Sequence, residues 1–244
     1  MKHRLDHLMV ARELVTTRSQ AESYIRMGVV KVDGKVQTKP GYFVHEESKV
    51  GLHSDQYVSR AGLKLASVAL ALKLDFKGKN VLDVGSSTGG FTDYALQHGA
   101  KKVVAVDVGT NQLHAKLRKD ARVELHEQTD IRAMDYLSET PDIIVIDVSF
   151  ISVREILPHL ATLSGKDTQI VAMLKPQFEA GREQTNRGVI KNDKIRREIL
   201  KGFEDWSRTL FVIKDKHDSD VHGEKGNVER FYLLKKTTSK TLKS

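Results

Sequence analysis

VLDVGSSTGGFTD, residues 81–93, passes from an apolar run through a glycine-rich turn into a stretch that favours helix. A strand–turn–helix junction of this kind lets a ligand approach the backbone closely at the carboxyl edge of a sheet. The spacing is G-x-x-x-G-G, through Gly85, Gly89 and Gly90. It is not the G-x-G-x-x-G of dinucleotide folds, and no G-K-[ST] follows to hold a triphosphate. Asp107 ends the next apolar run, 22 positions after Gly85. An acid there can take both hydroxyls of a ribose. Asp130, in QTDIR, follows the third strand region and is placed to reach an adenine amino group.

A glycine cradle with two acids and no phosphate clamp suits a nucleoside that carries no phosphate, as S-adenosyl-L-methionine does. The alternative is a phosphate-binding or ligand-free domain of the same outline. The predicted cofactor contacts are Asp83, Gly85, Ser86, Ser87, Gly89, Gly90, Phe91, Asp107, Val108, Asp130 and Ile131.

Outward from the turn, short apolar runs recur at 80–85, 102–109, 142–150, 168–174, 209–214 and 228–234. Helical stretches lie between the earlier ones, at 91–99, 111–118, 152–160 and 194–206. This alternation predicts an α/β fold with a mostly parallel, doubly wound sheet. The polar stretch 215–227 is too short for a helical crossover, so the last two strands should pair antiparallel. That is the Rossmann-like layout of class I methyltransferases. Before the first strand, residues 57–74 turn helical, with Leu63, Ala66, Leu70 and Leu74 on one face and Lys64 beside it.

The 244 residues include 40 Lys+Arg, 32 Asp+Glu, ten His and no Cys. The lack of cysteine excludes disulfides, thiolate nucleophiles and Cys-ligated metals. The histidines, among them His114, His126, His217 and His222, show no ligand spacing, so no metal site is predicted. No apolar run approaches the roughly 18 residues of a membrane span, and the charged start MKHRLDHLMV is not a secretory signal. A cytoplasmic protein is expected. The net charge of +8 is confined to the ends: +4 in residues 1–45, +4 in 235–244 and none between. Two basic ends on a neutral body point to a polyanionic partner.

Residues 1–45 read as two short helices and a hairpin. Leu5, Leu8 and Val15 recur at roughly helical spacing, Ser19 and Glu22 form a capping box, and Gly28 suits a helix end. Val30, Val32 and Val36 alternate around Asp33-Gly34, a two-residue hairpin signal. Arg4-Leu5-Asp6, the stretch 14–36 and Lys39-Pro40 together resemble an S4 RNA-binding domain, a small α+β module. The resemblance names RNA as the polyanion, with Arg4, Arg12, Arg18, Lys35 and Arg60 as candidate contacts. Residues 46–60 are polar and read as a linker, giving domains 1–60 and 61–236 and a basic tail 237–244.

A second set of charged residues sits where buried strands should end. Asp147 follows DIIVI, Lys175 follows IVAML and Glu229 opens VERFYLL. With Lys64 they resemble the Lys-Asp-Lys-Glu tetrad of FtsJ-like ribose 2′-O-methyltransferases. The stretches YVSRAGLKL, DVSFIS, MLKPQFEAGRE and RGVIKN, with the S4-like front, extend the resemblance to the TlyA family. That family also carries a hemolysin name, and its characterised members methylate cytidine ribose in ribosomal RNA. The resemblance implies S-adenosyl-L-methionine as cofactor and ribosomal RNA or ribosomal subunits as partner; no protein partner is implied.

The chemistry fits these residues on its own terms. A ribose 2′-hydroxyl has a pKa far above 7, so the protein must align it and help it lose a proton. A lysine does this when burial and a second cation lower its own pKa. Lys175 is the candidate base or hydroxyl-orienting group, and Lys64 supplies the second cation and steadies the developing alkoxide or the target phosphate. Asp147 and Glu229 orient the two amines. Lys175-Pro176 pins the lysine backbone in an extended state, and residues 176–193 read as a loop covering substrate. Two readings from other classes are a membrane-active hemolysin and an idle RNA-binding assembly factor. The first lacks an amphipathic or apolar span, and the second has no need of two lysines beside a nucleoside pocket.

Overall fold

The computed structural model describes residues 2–15, 17–26, 28–52, 57–180, 189–190, 192–221, 223 and 226–237. The N-terminal module comprises β1 (Lys2–Arg4), α1 (Leu5–Ala11), α2 (Arg18–Arg26), β2 (Val30–Val32), β3 (Lys35–Gln37), β4 (Phe43–His45) and β5 (Val50–Leu52). The β2–β3 turn is the expected hairpin, with Asp33 and Gly34 both at positive φ, +49° and +81°. Helix α2 begins at Arg18, and the Ser19 side chain of the expected capping box lies outside the described residues. The polar stretch after residue 45 is more than a linker: it supplies β5, which completes a three-stranded sheet in the order β3–β2–β5. Strands β1 and β4 form a separate antiparallel pair.

Leu5, Met9, Ala21, Tyr24 and Ile25 close the core of this module, because residues four apart on a helix share a face. The same core takes in Val221 and borders Leu63, both from the second domain. The fully buried Asp6 stands in this core, clasped by Arg4 at 2.8 Å and Arg18 at 2.9 Å. Burial opposes its charge, but those two hydrogen bonds outweigh it and hold the carboxyl well below the ordinary range.

The second domain is a seven-stranded sheet. Its strands are β6 (Asn80–Val84), β7 (Lys102–Val106), β8 (Val123–His126), β9 (Ile143–Ile146), β10 (Gln169–Leu174), β11 (Phe211–Asp218) and β12 (Arg230–Lys236). Their order is β11–β12–β10–β9–β6–β7–β8, and only β12 runs against the rest. Its helices are α3 (Arg60–Ala69), α4 (Gly90–Gln97), α5 (Ala115–Arg118), α6 (Leu157–Leu163), α7 (Pro176–Glu179) and α8 (Asp193–Ser207). Successive strand residues face opposite sides. Val81, Ile143, Val145, Val171, Met173 and Phe231 therefore pack under α3 and α4. Leu82, Ile144, Ile146, Ile170, Ala172 and Tyr232 pack on the other face with α6 and α8.

Helix α3 turns its most buried side next to the face its sequence suggests, from which Leu63, Ala66 and Leu74 still pack partly against the core. Leu65, Val68, Ala69 and Leu72 are inside, whereas Leu70 is 91% exposed. Apolar side chains stand on more than one side of the segment, so the spacing of Leu63, Ala66, Leu70 and Leu74 does not by itself select the buried face. The selection comes from Gly62 and Gly90, which let α3 and α4 approach: a Cβ on Gly62 would lie 2.9 Å from the Gly90 carbonyl oxygen. No helix among the described residues is long and apolar enough to cross a membrane.

Candidate active site

The glycine turn lies at the carboxyl edge of β6. Gly85 takes φ +80°, and a Cβ there would sit 2.8 Å from the Asp147 carbonyl oxygen, so the turn abuts the end of β9. Two adjoining cavities open at this edge, of about 440 Å³ and 140 Å³, and they share Gly85, Ser87, Asp147 and Ser149. Asp107, Val108, Asp130 and Ile131 line the larger. Asp83, Ser86, Phe91 and Lys175 line the smaller. Gly89 and Gly90, expected as cofactor contacts, line neither. Gly89 packs on Leu113 and Leu117, and Gly90 on Gly62 and Ala61, so both shape the turn and seat α4. A further cavity of about 530 Å³ runs along β11 at the far edge of the sheet and shares no residue with this pair.

Asp107 accepts the Ser87 and Gly109 backbone N–H groups, each at 2.7 Å. Those bonds fix the carboxylate, and each oxygen keeps a lone pair for a ribose hydroxyl. Asp130 caps the helical turn Ile131–Ala133 and pairs with Arg132 at 2.6 Å. The Arg132 hydrogen bond holds its carboxyl below the ordinary value. Asp83 is wholly buried, with Thr92 donating to Oδ2 at 2.6 Å and Oδ1 unpartnered. Burial pushes its carboxyl up to about 7, against the Thr92 bond, and the Asp147 charge adds to the rise. A buried acceptor without a donor, lining the smaller cavity, suits the amino group of the methionine part of S-adenosylmethionine. The residues present thus fit that cofactor: Asp107 for its ribose, the larger cavity for its base, Asp83 for its amine.

Asp147, Lys175 and Glu229 continue the parity of the strand residues that pack under α3, so the sheet presents all three on the α3 face. Lys64 stands on α3 itself. The four form two ion pairs, Lys175 Nζ to Asp147 Oδ1 at 2.6 Å and Lys64 Nζ to Glu229 Oε1 at 3.0 Å. The Glu229 side chain is only 2% exposed, and its Oε2 has no hydrogen-bond partner. Leu174 pairs with Arg230, so one step further along the antiparallel ladder brings Lys175 opposite Glu229. The reversal of β12 thereby delivers the start of a strand to the edge where the others end.

The basic residues of the front module are more committed than their sequence suggests. Arg4 and Arg18 hold Asp6, and Arg12 donates to the Ser48 carbonyl at 2.8 Å and to that of Glu46. Lys35 is exposed on β3, and Arg60 is exposed at the start of α3. His114 caps α5 and His126 pairs with Glu124, while His222 lies outside the described residues. Residues 181–188 and 191 of the expected substrate-covering loop, and 238–244 of the basic tail, lie outside them too.

Two residues near the lysine were not singled out from sequence. Ser149 accepts from Lys175 Nζ at 2.7 Å, and Glu179 accepts from Ser152 and Val153. Both lie in the stretches DVSFIS and MLKPQFEAGRE that carried the family resemblance, and that was their only signal.

The strand order, with its one reversed strand, is that of the class I methyltransferases, and the cavity chemistry suits their cofactor. A family model for FtsJ-like methyltransferases matches residues 57–236, and one for the S4 domain matches residues 3–50. A Campylobacter jejuni relative, named 23S rRNA (cytidine-2′-O)-methyltransferase TlyA, is 41% identical over 190 residues, 75% of this chain and 73% of its own. A Mycobacterium tuberculosis relative, named 16S/23S rRNA (cytidine-2′-O)-methyltransferase TlyA, is 35% identical over 246 residues, 98% of this chain and 92% of its own. A solved structure from Streptococcus thermophilus, described as a hemolysin, superposes with a TM-score of 0.74 at 40% identity, covering 98% of this chain and 90% of that one. The chain belongs to the TlyA family, in which an S4 domain is joined to an FtsJ-like methyltransferase domain. It is an S-adenosylmethionine-dependent RNA methyltransferase.

Proposed function

We propose that this protein methylates the 2′-hydroxyl of a cytidine ribose in ribosomal RNA, with 23S rRNA, named for both relatives, as a substrate. The supporting observation is the pair of lysine–carboxylate contacts on one face of the sheet, with Lys175 and Asp147 lining the smaller cavity. S-adenosylmethionine, when bound, supplies an electrophilic methyl group that needs no acid catalyst. The chain must then align the hydroxyl and accept its proton. Lys175 Nζ takes that part, held by Asp147, and Lys64, held by Glu229, steadies the negative charge that develops on the oxygen. The S4 module binds RNA and raises the effective concentration of target at the site. The working partner is a ribosomal subunit or its RNA, which sets the reaction in the cytoplasm.

The test is transfer of labelled methyl from S-adenosylmethionine to purified ribosomal subunits, with alkaline hydrolysis to map label that blocks strand cleavage. Wild type is expected to label ribose, and Lys175→Ala to lose about 10²–10⁴-fold in rate. Label on a base, or full transfer by Lys175→Ala, would overturn the reading.

A further inference from the structure

Lys175 Nζ donates a hydrogen bond to Ser149 Oγ at 2.7 Å and stands 2.6 Å from Asp147 Oδ1 in a charge contact without hydrogen-bond geometry. Both stand on the segment that leaves β9, while the lysine stands at the end of the adjacent parallel strand β10. The Phe178 ring centroid lies 5.9 Å from Nζ and bounds another side. The lysine side chain is only 11% exposed, and with Ser149 it lines the smaller cavity.

To take a proton, the Lys175 ammonium of the ion pair must first give one up, which leaves an amine with two N–H bonds and one lone pair in a tetrahedral arrangement. The Ser149 hydrogen bond fixes one N–H, while the Asp147 contact beside it is a charge contact without hydrogen-bond geometry; with that N–H fixed, the other N–H and the lone pair are confined to set directions. With Asp147 alone, the amine would still rotate about the Cε–Nζ bond. We infer that Ser149 is a positioning residue: it fixes the rotation of the Lys175 amine so that its free position faces the ribose hydroxyl. The inference rests on the proposed 2′-O-methyl transfer.

The proton leaves O2′ for the Nζ lone pair as O2′ bonds to the methyl carbon and that carbon's bond to sulfur breaks, its electron pair staying on the sulfur of the departing S-adenosylhomocysteine. The resulting ammonium keeps one N–H on Ser149, stays paired in charge with Asp147, and returns a proton to water before the next turnover. Ser149 is exposed, so its hydroxyl has little packing duty that would explain its place otherwise.

The experiment compares full-length wild type, Ser149→Ala and Ser149→Thr. It measures kcat and KM with S-adenosylmethionine and ribosomal RNA, melting temperature, and acylation of Lys175 by an amine-directed reagent in cofactor-free protein, read by mass spectrometry. Ser149→Ala should lose roughly 10–100-fold in kcat, the scale of a misplaced reacting group. Its KM values and melting temperature should stay unchanged. Lys175 acylation should rise several-fold, and Ser149→Thr, which keeps the hydroxyl, should recover most of the rate. Wild-type kcat in Ser149→Ala, or a loss confined to KM, would overturn the inference while leaving the methyl-transfer reading intact. Absence of ribose methylation by wild type would overturn both.

Discussion

Glu179 accepts a hydrogen bond from the Ser152 hydroxyl at 2.6 Å and a second from the Val153 N–H at 2.8 Å. Glu179 follows Lys175 by four residues, and Ser152 follows Asp147 by five. The contact therefore ties together the two segments that carry the lysine and its carboxylate out of β10 and β9. Burial pushes the Glu179 carboxyl above its ordinary range, against the bonds from Ser152 and Val153 and the nearby Arg154. Its place is held by geometry in spite of that cost.

Glu179→Ala should thus damage both stability and turnover. Losing an acceptor for two donors costs roughly 1–3 kcal/mol, and the released segment lets Lys175 drift from its partner, lowering kcat more than tenfold. Glu179→Gln keeps a carbonyl for the Val153 N–H and should retain most of both. Thermal unfolding and the methyl-transfer assay read the two effects separately. Wild-type turnover in a measurably destabilised Glu179→Ala protein would reduce the contact to a structural one.

Asp83 makes stability depend on pH. Its carboxyl titrates at about 7 in the fold, against an ordinary 3.8. The folded protein thus holds this proton more tightly than the unfolded chain. The stability this contributes is complete below about pH 4 and is lost as pH rises through 7. Without cofactor, the Asp83 contribution should lower the melting temperature between pH 4 and 8, and Asp83→Asn should flatten that part of the decline. An ammonium brought by S-adenosylmethionine would favour the charged carboxylate, so binding near pH 7 should release protons. Calorimetry in buffers of different ionisation heat measures that release, and no difference between Asp83→Asn and wild type would separate Asp83 from cofactor binding.

Much of the site was legible because strands alternate. Asp147 and Lys175 end apolar runs, and their parity with Val145 and Met173 puts them on one face without any knowledge of contacts. Glu229 was legible once the short 215–227 segment required an antiparallel return. Leu70 misled because apolar side chains stand on more than one side of this segment, and the Gly62–Gly90 approach chooses its buried side. Charge counting did not show that Arg4 and Arg18 also clasp Asp6, a role that leaves both side chains partly exposed. The cue was Asp6 itself, an acid beside Leu5 and ahead of Leu8 and Met9 on a buried face. Ser149 and Glu179 make their contacts between the segments that leave β9 and β10, and no local pattern encodes a contact of that kind.

The Asp6 clasp should set the stability of the RNA-binding module. Replacing Asp6 by Ala removes charge-assisted hydrogen bonds to Arg4 and Arg18, at roughly 1.5–3 kcal/mol. Its folded carboxyl lies below its unfolded value, so this stability is present above about pH 4 and is lost as pH falls further. Acid unfolding followed at the N-terminal module should begin at higher pH in Asp6→Ala. RNA affinity should fall with it, because Arg4 and Arg18 lose their fixed directions. An unchanged acid transition would contradict the clasp.

Gly62→Ala tests whether the α3–α4 approach sets the distance between Lys64 and its partner. The added methyl would meet the Tyr57 side chain at 2.6 Å and the Gly90 carbonyl oxygen at 2.9 Å, and that carbonyl belongs to backbone that cannot swing aside. Overpacking of this kind costs about 1–3 kcal/mol. The helix must then move away from α4 and carry Lys64 with it, while Lys175 and Asp147, on β10 and β9, stay in place. The expected result is a lower melting temperature and a lower kcat, with Asp107-dependent cofactor affinity largely kept. Gly51→Ala is the matching control, since a Cβ there meets nothing within 4 Å. If Gly62→Ala lowers the melting temperature but leaves kcat alone, the Lys64–Glu229 separation tolerates the shift, and Lys64 acts at longer range than its 3.0 Å contact implies.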